Sequence, residues 1–213
     1  MSVTIILADD HKIMREGLRG ILAQQRDFTV VAEADNGKTT VELALRLTPD
    51  VVIMDITMPD LNGIDATRRI LAADPRIKVI ALSVHSDKRF VTNMFAAGAA
   101  GYLRKDCAGE ELILAIRTVL QRKPYVSPSL EGIVLPALDG PAAEVGTPLT
   151  TKEREVVQLI AEGSSTKDIA VRLDISVKTV ETHRKSIMLK LNIRSIAELT
   201  KFAIKEGLTD LER

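Results

Sequence analysis

The sequence predicts a doubly wound, parallel α/β domain followed by a small all-helical one. Three observations carry this expectation. Five apolar runs of strand length alternate with helix-period segments over the first 122 residues. A stretch crowded with proline and glycine then interrupts the pattern. Beyond it, apolar residues recur at helical spacing behind clear helix-start residues.

In chain order, strands are expected over 4–8, 29–34, 51–54, 78–82 and 101–103. Several are unbroken apolar runs, such as Val51-Val52-Ile53-Met54. Strands covered by helices on both faces read this way. Helix-period segments lie near 12–24, 38–47, 64–72, 87–97 and 108–121. Five βα units imply a parallel sheet over residues 1–122.

Residues 123–148 are expected to be a linker. Five of the eight prolines fall within 124–148 (Pro124, Pro128, Pro136, Pro141, Pro148), among Gly132, Gly140 and Gly146. A short helix is expected around 130–135. Residues 149–213 then predict four helices, near 150–161, 166–173, 177–190 and 195–206. Thr150 with Glu153 and Ser195 with Glu198 have the spacing of capping boxes, Ser165 with Asp168 is a shorter variant, and Gly163 closes the first helix.

Composition narrows the function. The single cysteine, Cys107, rules out an intramolecular disulfide. No apolar run approaches the roughly 20 residues that span a bilayer, and no basic leader precedes the first strand. A soluble, cytoplasmic protein without membrane attachment is therefore expected. Net charge is zero, but residues 176–205 carry seven Lys/Arg against two Glu. A basic stripe on a neutral chain suits a polyanion, although a merely solvated helix face has the same appearance.

The chemistry concentrates at strand ends. Asp9 and Asp10 close the first apolar run, and Asp55 closes the third. In open α/β sheets this edge holds the functional site. Three acids gathered there repel one another unless a cation sits among them, and Mg²⁺ suits such a carboxylate set. A phosphoryl group on Asp55 would add negative charge, which calls for a fixed cation and a hydroxyl. Lys105 after the fifth strand and Ser83 after the fourth supply them.

Asp9-Asp10-His11, Asp55 with Pro59 and Gly63, Ser83, Tyr102 and Lys105 together resemble the receiver domain of response regulators. The resemblance implies a flavodoxin-like five-stranded sheet of order 2-1-3-4-5, with Asp55 as phospho-acceptor. It implies Mg²⁺ bound by Asp10, Asp55 and the Thr57 carbonyl, and by Asp9 through water. Lys105 would pair with the phosphate, Ser83 would move to meet it, and Tyr102 would turn inward. Asp106 stands where many receivers carry proline.

The second half resembles a LuxR-type helix-turn-helix, through Ala161-Glu162-Gly163, Lys167-Asp168-Ile169-Ala170, Ile175-Ser176, Thr179-Val180, His183, Ile187 and Lys190-Leu191. Both halves together resemble the NarL/FixJ response regulators. In the third helix, Val177, Val180, Ile187 and Leu191 are expected to face inward, and Lys178, Glu181, Thr182 and Lys185 outward. Such a helix fits the major groove of double-stranded DNA. The resemblance puts base contacts at Glu181, Thr182 and Lys185, and includes Lys178 and Thr179 in the DNA face. Glu181 can accept from cytosine N4 or face solvent. Arg184, Lys190 and Lys167 suit phosphate contacts. His183 can pack, touch a phosphate or read a base. The scattered histidines have no metal-site spacing. The last helix is expected to expose an apolar stripe of Ile196, Leu199, Thr200 and Ala203 and, by resemblance, to dimerise; the other reading is that it only closes the small core.

The implied function is a non-enzymatic transcription regulator. A sensor histidine kinase would phosphorylate Asp55, favouring receiver–receiver association or release of a masked recognition helix, either of which raises the fraction of homodimers competent to bind DNA. Two rivals stand beside it. An aspartate-nucleophile phosphohydrolase needs a second acid two residues after the nucleophile, where this chain has Thr57. A phosphorylation-independent DNA binder would use the receiver only to dimerise or to bind a ligand.

Overall fold

A computed structural model describes residues 2–84, 86–107, 109–130 and 149–209. By its internal contacts the chain divides into two units, Met1–Val145 and Gly146–Arg213.

The first unit is a wholly parallel sheet flanked by helices. Its elements are β1 (Val3–Ala8), α1 (Lys12–Ala23), β2 (Phe28–Ala34), α2 (Gly37–Leu47), β3 (Val51–Asp55), α3 (Gly63–Ala73), β4 (Lys78–Ser83), α4 (Lys88–Ala96), β5 (Gly101–Arg104), α5 (Gly109–Leu120) and β6 (Tyr125–Val126). The strand order is β2-β1-β3-β4-β5-β6. Every strand and helix expected within residues 1–122 is present.

The pleat of β1 explains the two-sided core. Ile5 and Leu7 face one way, into a cluster with Leu18 and Leu22 of α1 and Leu112 and Ile116 of α5. Ile6 and Ala8 face the other way, toward Ala44 of α2, Ile64 and Ile70 of α3 and Met94 of α4. Alternate side chains thus feed opposite layers. All five residues of β3, at the centre, are buried.

The sheet runs past the expected end of the domain. Tyr125 and Val126 pair in parallel with Gly101 and Tyr102, and a 3-10 turn follows at Pro128–Leu130. The Ser127 hydroxyl donates to Glu111 of α5 at 2.5 Å and accepts from the Arg104 amide at 3.3 Å. Leu130 is buried in the α2–α4 layer. A two-residue strand is too short to show alternation, so the proline-rich composition masked it. Of the helix expected around 130–135, residues 131–135 lie outside the described residues.

The second unit is α6 (Thr151–Ala161), α7 (Thr166–Leu173), α8 (Val177–Leu191) and α9 (Ile196–Glu206). The capping boxes at Thr150/Glu153, Ser165/Asp168 and Ser195/Glu198 all form. Ser176 caps α8 by accepting from the Thr179 amide. Val156, Leu159, Ile169, Val180, Ile187 and Leu199 build its core.

Among the described residues, no helix is long and apolar enough to cross a membrane.

Candidate functional site

Parallel strands deliver their C-terminal ends to one edge, and that edge collects the predicted residues. Asp55 is the last residue of β3 and Ser83 the last of β4; Asp9 and Asp10 follow β1, and Lys105 follows β5. Asp9, Asp55 and Ser83 are almost wholly buried. The Lys105 Nζ lies 2.7 Å from Asp55 Oδ2 and 2.8 Å from Asp9 Oδ2. Donor atoms of Asp9, Asp10, His11 and Asp55 all fall within 4.8 Å of one another.

One ammonium cannot neutralise this many acids. Burial pushes the Asp55 carboxyl well above the usual carboxylate range; Lys105 opposes the rise, and Asp9 and Asp10 add to it. Burial also disfavours the Lys105 ammonium, but Asp55 and Asp9 outweigh it and raise its pKa. The two shifts are consistent: the lysine is held charged, and the crowding of carboxyl groups favours a proton or a further cation at Asp55. A receiver-type acidic cluster of oxygen donors is the donor chemistry of a Mg²⁺ site. Thr57, whose carbonyl was expected among the ligands, lies two residues beyond Asp55 and is buried.

Neighbouring elements hold these groups in place. The His11 amide donates to Asp9 Oδ1 at 2.8 Å. Arg15, in the first turn of α1, donates to the Asp9 carbonyl at 2.5 Å. Gly63 opens α3 directly behind the acceptor. A Cβ there would stand 2.0 Å from the Asp55 carbonyl oxygen, a distance no side chain tolerates. The Gly63 amide instead donates to the Ile56 carbonyl at 2.7 Å.

Tyr102 was expected to turn inward only as space opens. Its ring is already fully buried, and its hydroxyl is hydrogen-bonded with Ser83. Burial raises the phenol's pKa, so it stays protonated at neutral pH. Two contributors were missed in the sequence. His11 Nδ1 lies 3.1 Å from Asp9 Oδ1 and 3.0 Å from Asp10 Oδ1, although histidine spacing gave no metal signal. Arg15 supports the Asp9 backbone, and the only sign of it was a cation six residues after an acid.

In the second unit, α8 carries a polar outer face. Lys178, Glu181, Thr182, Arg184 and Lys185 are exposed, as is Lys167 on α7. Thr179 and His183 are half-buried, and Thr179 shares a 2.8 Å hydroxyl contact with Ser176. The Thr182 hydroxyl donates to the Lys178 carbonyl. Val180 and Ile187 face inward as expected, but Val177 is 41% exposed. It is the first residue of the helix, ahead of the turn that packs. Lys190 is engaged within the domain, with Nζ at 2.7 and 2.8 Å from the two oxygens of the buried Glu153. At most part of its donor capacity is left for a DNA phosphate.

The expected apolar stripe on α9 needs correction. Leu199 and Ala203 are completely buried in the core of their own unit. With four short helices, each inward face is needed to fill one small core. Ile196, at 37% exposed, and the half-buried Thr200 remain at the surface of α9.

Comparison with known proteins agrees with both halves. Residues 5–117 match the response regulator receiver domain, and residues 147–203 match the bacterial regulatory proteins of the luxR family. The transcriptional regulatory protein DegU of Brevibacillus brevis is 35% identical over 96% of this chain and 94% of its own length. The oxygen regulatory protein NreC of Staphylococcus epidermidis (strain ATCC 12228) is 38% identical over 97% of this chain and 99% of its own. Among solved structures, Salmonella typhimurium RcsB, described for its conformational dynamism in DNA interaction, superposes with a TM-score of 0.65 at 26% identity, covering 96% of this chain and 98% of that one. A structure of two RcsB dimers bound to two parallel DNAs superposes with a TM-score of 0.60 at 26% identity, covering 97% and 99%.

Proposed function

The chain belongs to the two-component response regulators that join a receiver to a LuxR-type DNA-binding domain, and from that premise we propose that Asp55 is its phospho-acceptor and α8 its DNA-reading helix. Such regulators are transcription factors, not enzymes, and a receiver implies a kinase partner. We assign that role to a sensor histidine kinase.

The Asp55 carboxylate attacks the phosphorus of a phosphohistidine. A P–O bond forms, the P–N bond breaks, and the imidazole leaves with a proton. The product is a mixed anhydride, labile enough for a reversible signal. Asp9, Asp10 and Asp55 are the side chains that would hold Mg²⁺, whose charge would offset the oxygens of the transferred group. Lys105 already touches Asp55 and is placed to exchange that contact for a phosphoryl oxygen. Ser83 donates its hydroxyl to the same group, and Tyr102, bonded to Ser83, follows its movement. The observation that carries the reading is the pair of Lys105 contacts, to Asp55 and Asp9 at once.

The output is a shift in population. Phosphorylation favours a homodimer whose paired α8 helices enter successive major grooves of DNA. Exposed Lys178, Glu181, Thr182 and Lys185 face the bases, and Lys167 and Arg184 the phosphates.

A gel-shift titration of operator DNA with and without an acyl phosphate and Mg²⁺ tests this reading. The phosphodonor should tighten binding, and Asp55→Asn should abolish both phosphate incorporation and the tightening. Incorporation at the wild-type rate by Asp55→Asn means another acceptor. DNA affinity indifferent to the phosphodonor would favour the phosphorylation-independent regulator instead.

A further inference from the structure

The edge of the receiver sheet opposite the acidic cluster carries a cleft of its own. At the N-terminal ends of β3 to β6, opposite Asp55, lies a cavity of about 660 Å³. Clefts of roughly 300–1,000 Å³ are the size that small ligands occupy. Its floor is apolar, with Val119, Leu120 and Ala100, and its rim is cationic, with Arg76, Lys78, Arg122 and Lys123.

The charges decide what it can hold. Arg76 is committed to Asp74 through a two-pronged pair at 2.9 and 2.8 Å. Asp50, the one acid in the lining, accepts from the Thr4 amide and hydroxyl, both at 2.8 Å. Lys78, Arg122 and Lys123 have no side-chain hydrogen bond or ion pair among the described residues. The C-terminal ends of α3 and α5 lie at this edge, and their partial charges together offset about one unit charge. Positive charge stays in surplus even with Asp50 included. Three uncommitted cations over an apolar floor fit an anion that also carries a flat, weakly polar body.

We propose that this cleft binds a small phosphorylated molecule of the nucleoside diphosphate class, its phosphates held by Lys78, Arg122 and Lys123 and its base laid on the accessible apolar surface of Leu120 and Ala100. Neither the phosphorylation pocket nor α8 is used.

Calorimetric titration of the full chain with ADP tests the site, with EDTA present so that no cation draws phosphates into the acidic pocket. One ADP should bind per chain, with NMR shifts at the amides of Lys78, Ala100 and Lys123. Lys78→Ala/Lys123→Ala removes two of the three phosphate-holding cations and should weaken ADP at least tenfold, about 1.4 kcal/mol. Labelling of Asp55 by an acyl phosphate with Mg²⁺ should be unchanged in that variant, which reports that the receiver is folded. Pyrophosphate should bind more weakly than ADP, because it gains nothing from the floor. No binding at millimolar ADP, binding unmoved by the double substitution, or equal affinity for pyrophosphate and ADP would each overturn the proposal.

Discussion

Glu153 shows how one residue can hold a helix in place. Burial raises its pKa, but Lys190, the Thr150 amide and Ser186 outweigh burial and bring it down to about 2. Ser186 and Lys190 both sit on α8, so Glu153 pins the proposed DNA-reading helix to α6. Because the folded pKa is depressed, this stabilisation is complete above the unfolded value near 4.5 and is lost as pH falls toward 2. Each tenfold gain in acidity is worth about 1.4 kcal/mol, so the small domain gains on the order of 3 kcal/mol from this carboxylate. Acid titration of its melting temperature should show the loss below pH 5, and Glu153→Gln should flatten that dependence. Gly63 makes a second case. Gly63→Ala drives a methyl into the Asp55 carbonyl, so it should cost at least about 1–3 kcal/mol and slow Asp55 labelling, as overpacking does. The Gly63 position was visible in the sequence only as part of a family pattern; its physical reason, the close approach of α3 to β3, was not.

At the scale of elements, α8 and α9 separate packing from recognition. Lys185→Ala should cost about 1–3 kcal/mol of DNA affinity and relax preference at one base position if it reads a base. A loss uniform across operator sequences, with a shallower salt dependence, would move it to the phosphates. On α9, Leu199→Ala removes a completely buried side chain and should destabilise the small domain by about 2–5 kcal/mol in thermal melts. Ile196→Asp, at the surface, should leave the melt nearly unchanged and weaken dimerisation in sedimentation experiments. If Leu199→Ala changes only dimerisation, the burial assignment is wrong. The limits of the helices were legible because capping side chains act locally, on amides two or three residues away. Which face of α9 is buried was not, because its apolar residues pattern alike for a core and for an interface.

For the whole molecule, the proposed metal and switch make testable demands. Mg²⁺ held by the acidic cluster of the folded receiver alone would stabilise it by about 2.7 kcal/mol at a hundredfold excess over Kd. The receiver melt should rise accordingly, and Asp10→Asn should abolish the rise. Moving a dimerisation equilibrium from 1:99 to 99:1 needs about 5.5 kcal/mol of differential stabilisation, and the change in dimer population with phosphodonor measures how much of that Asp55 delivers. The order of elements, the strand-end acids, Ser83 and Lys105, and the basic stretch on α8 were determined by sequence alone, since periodicity and strand termini are local properties. Tertiary structure decided the rest: that β6 extends the sheet, that Tyr102 already lies inside against Ser83, that Lys190 is bound to Glu153, and that four cations ring one cleft. These are meetings between side chains distant along the chain, and their distances follow from how helices stack on a twisted sheet, which no linear spacing encodes.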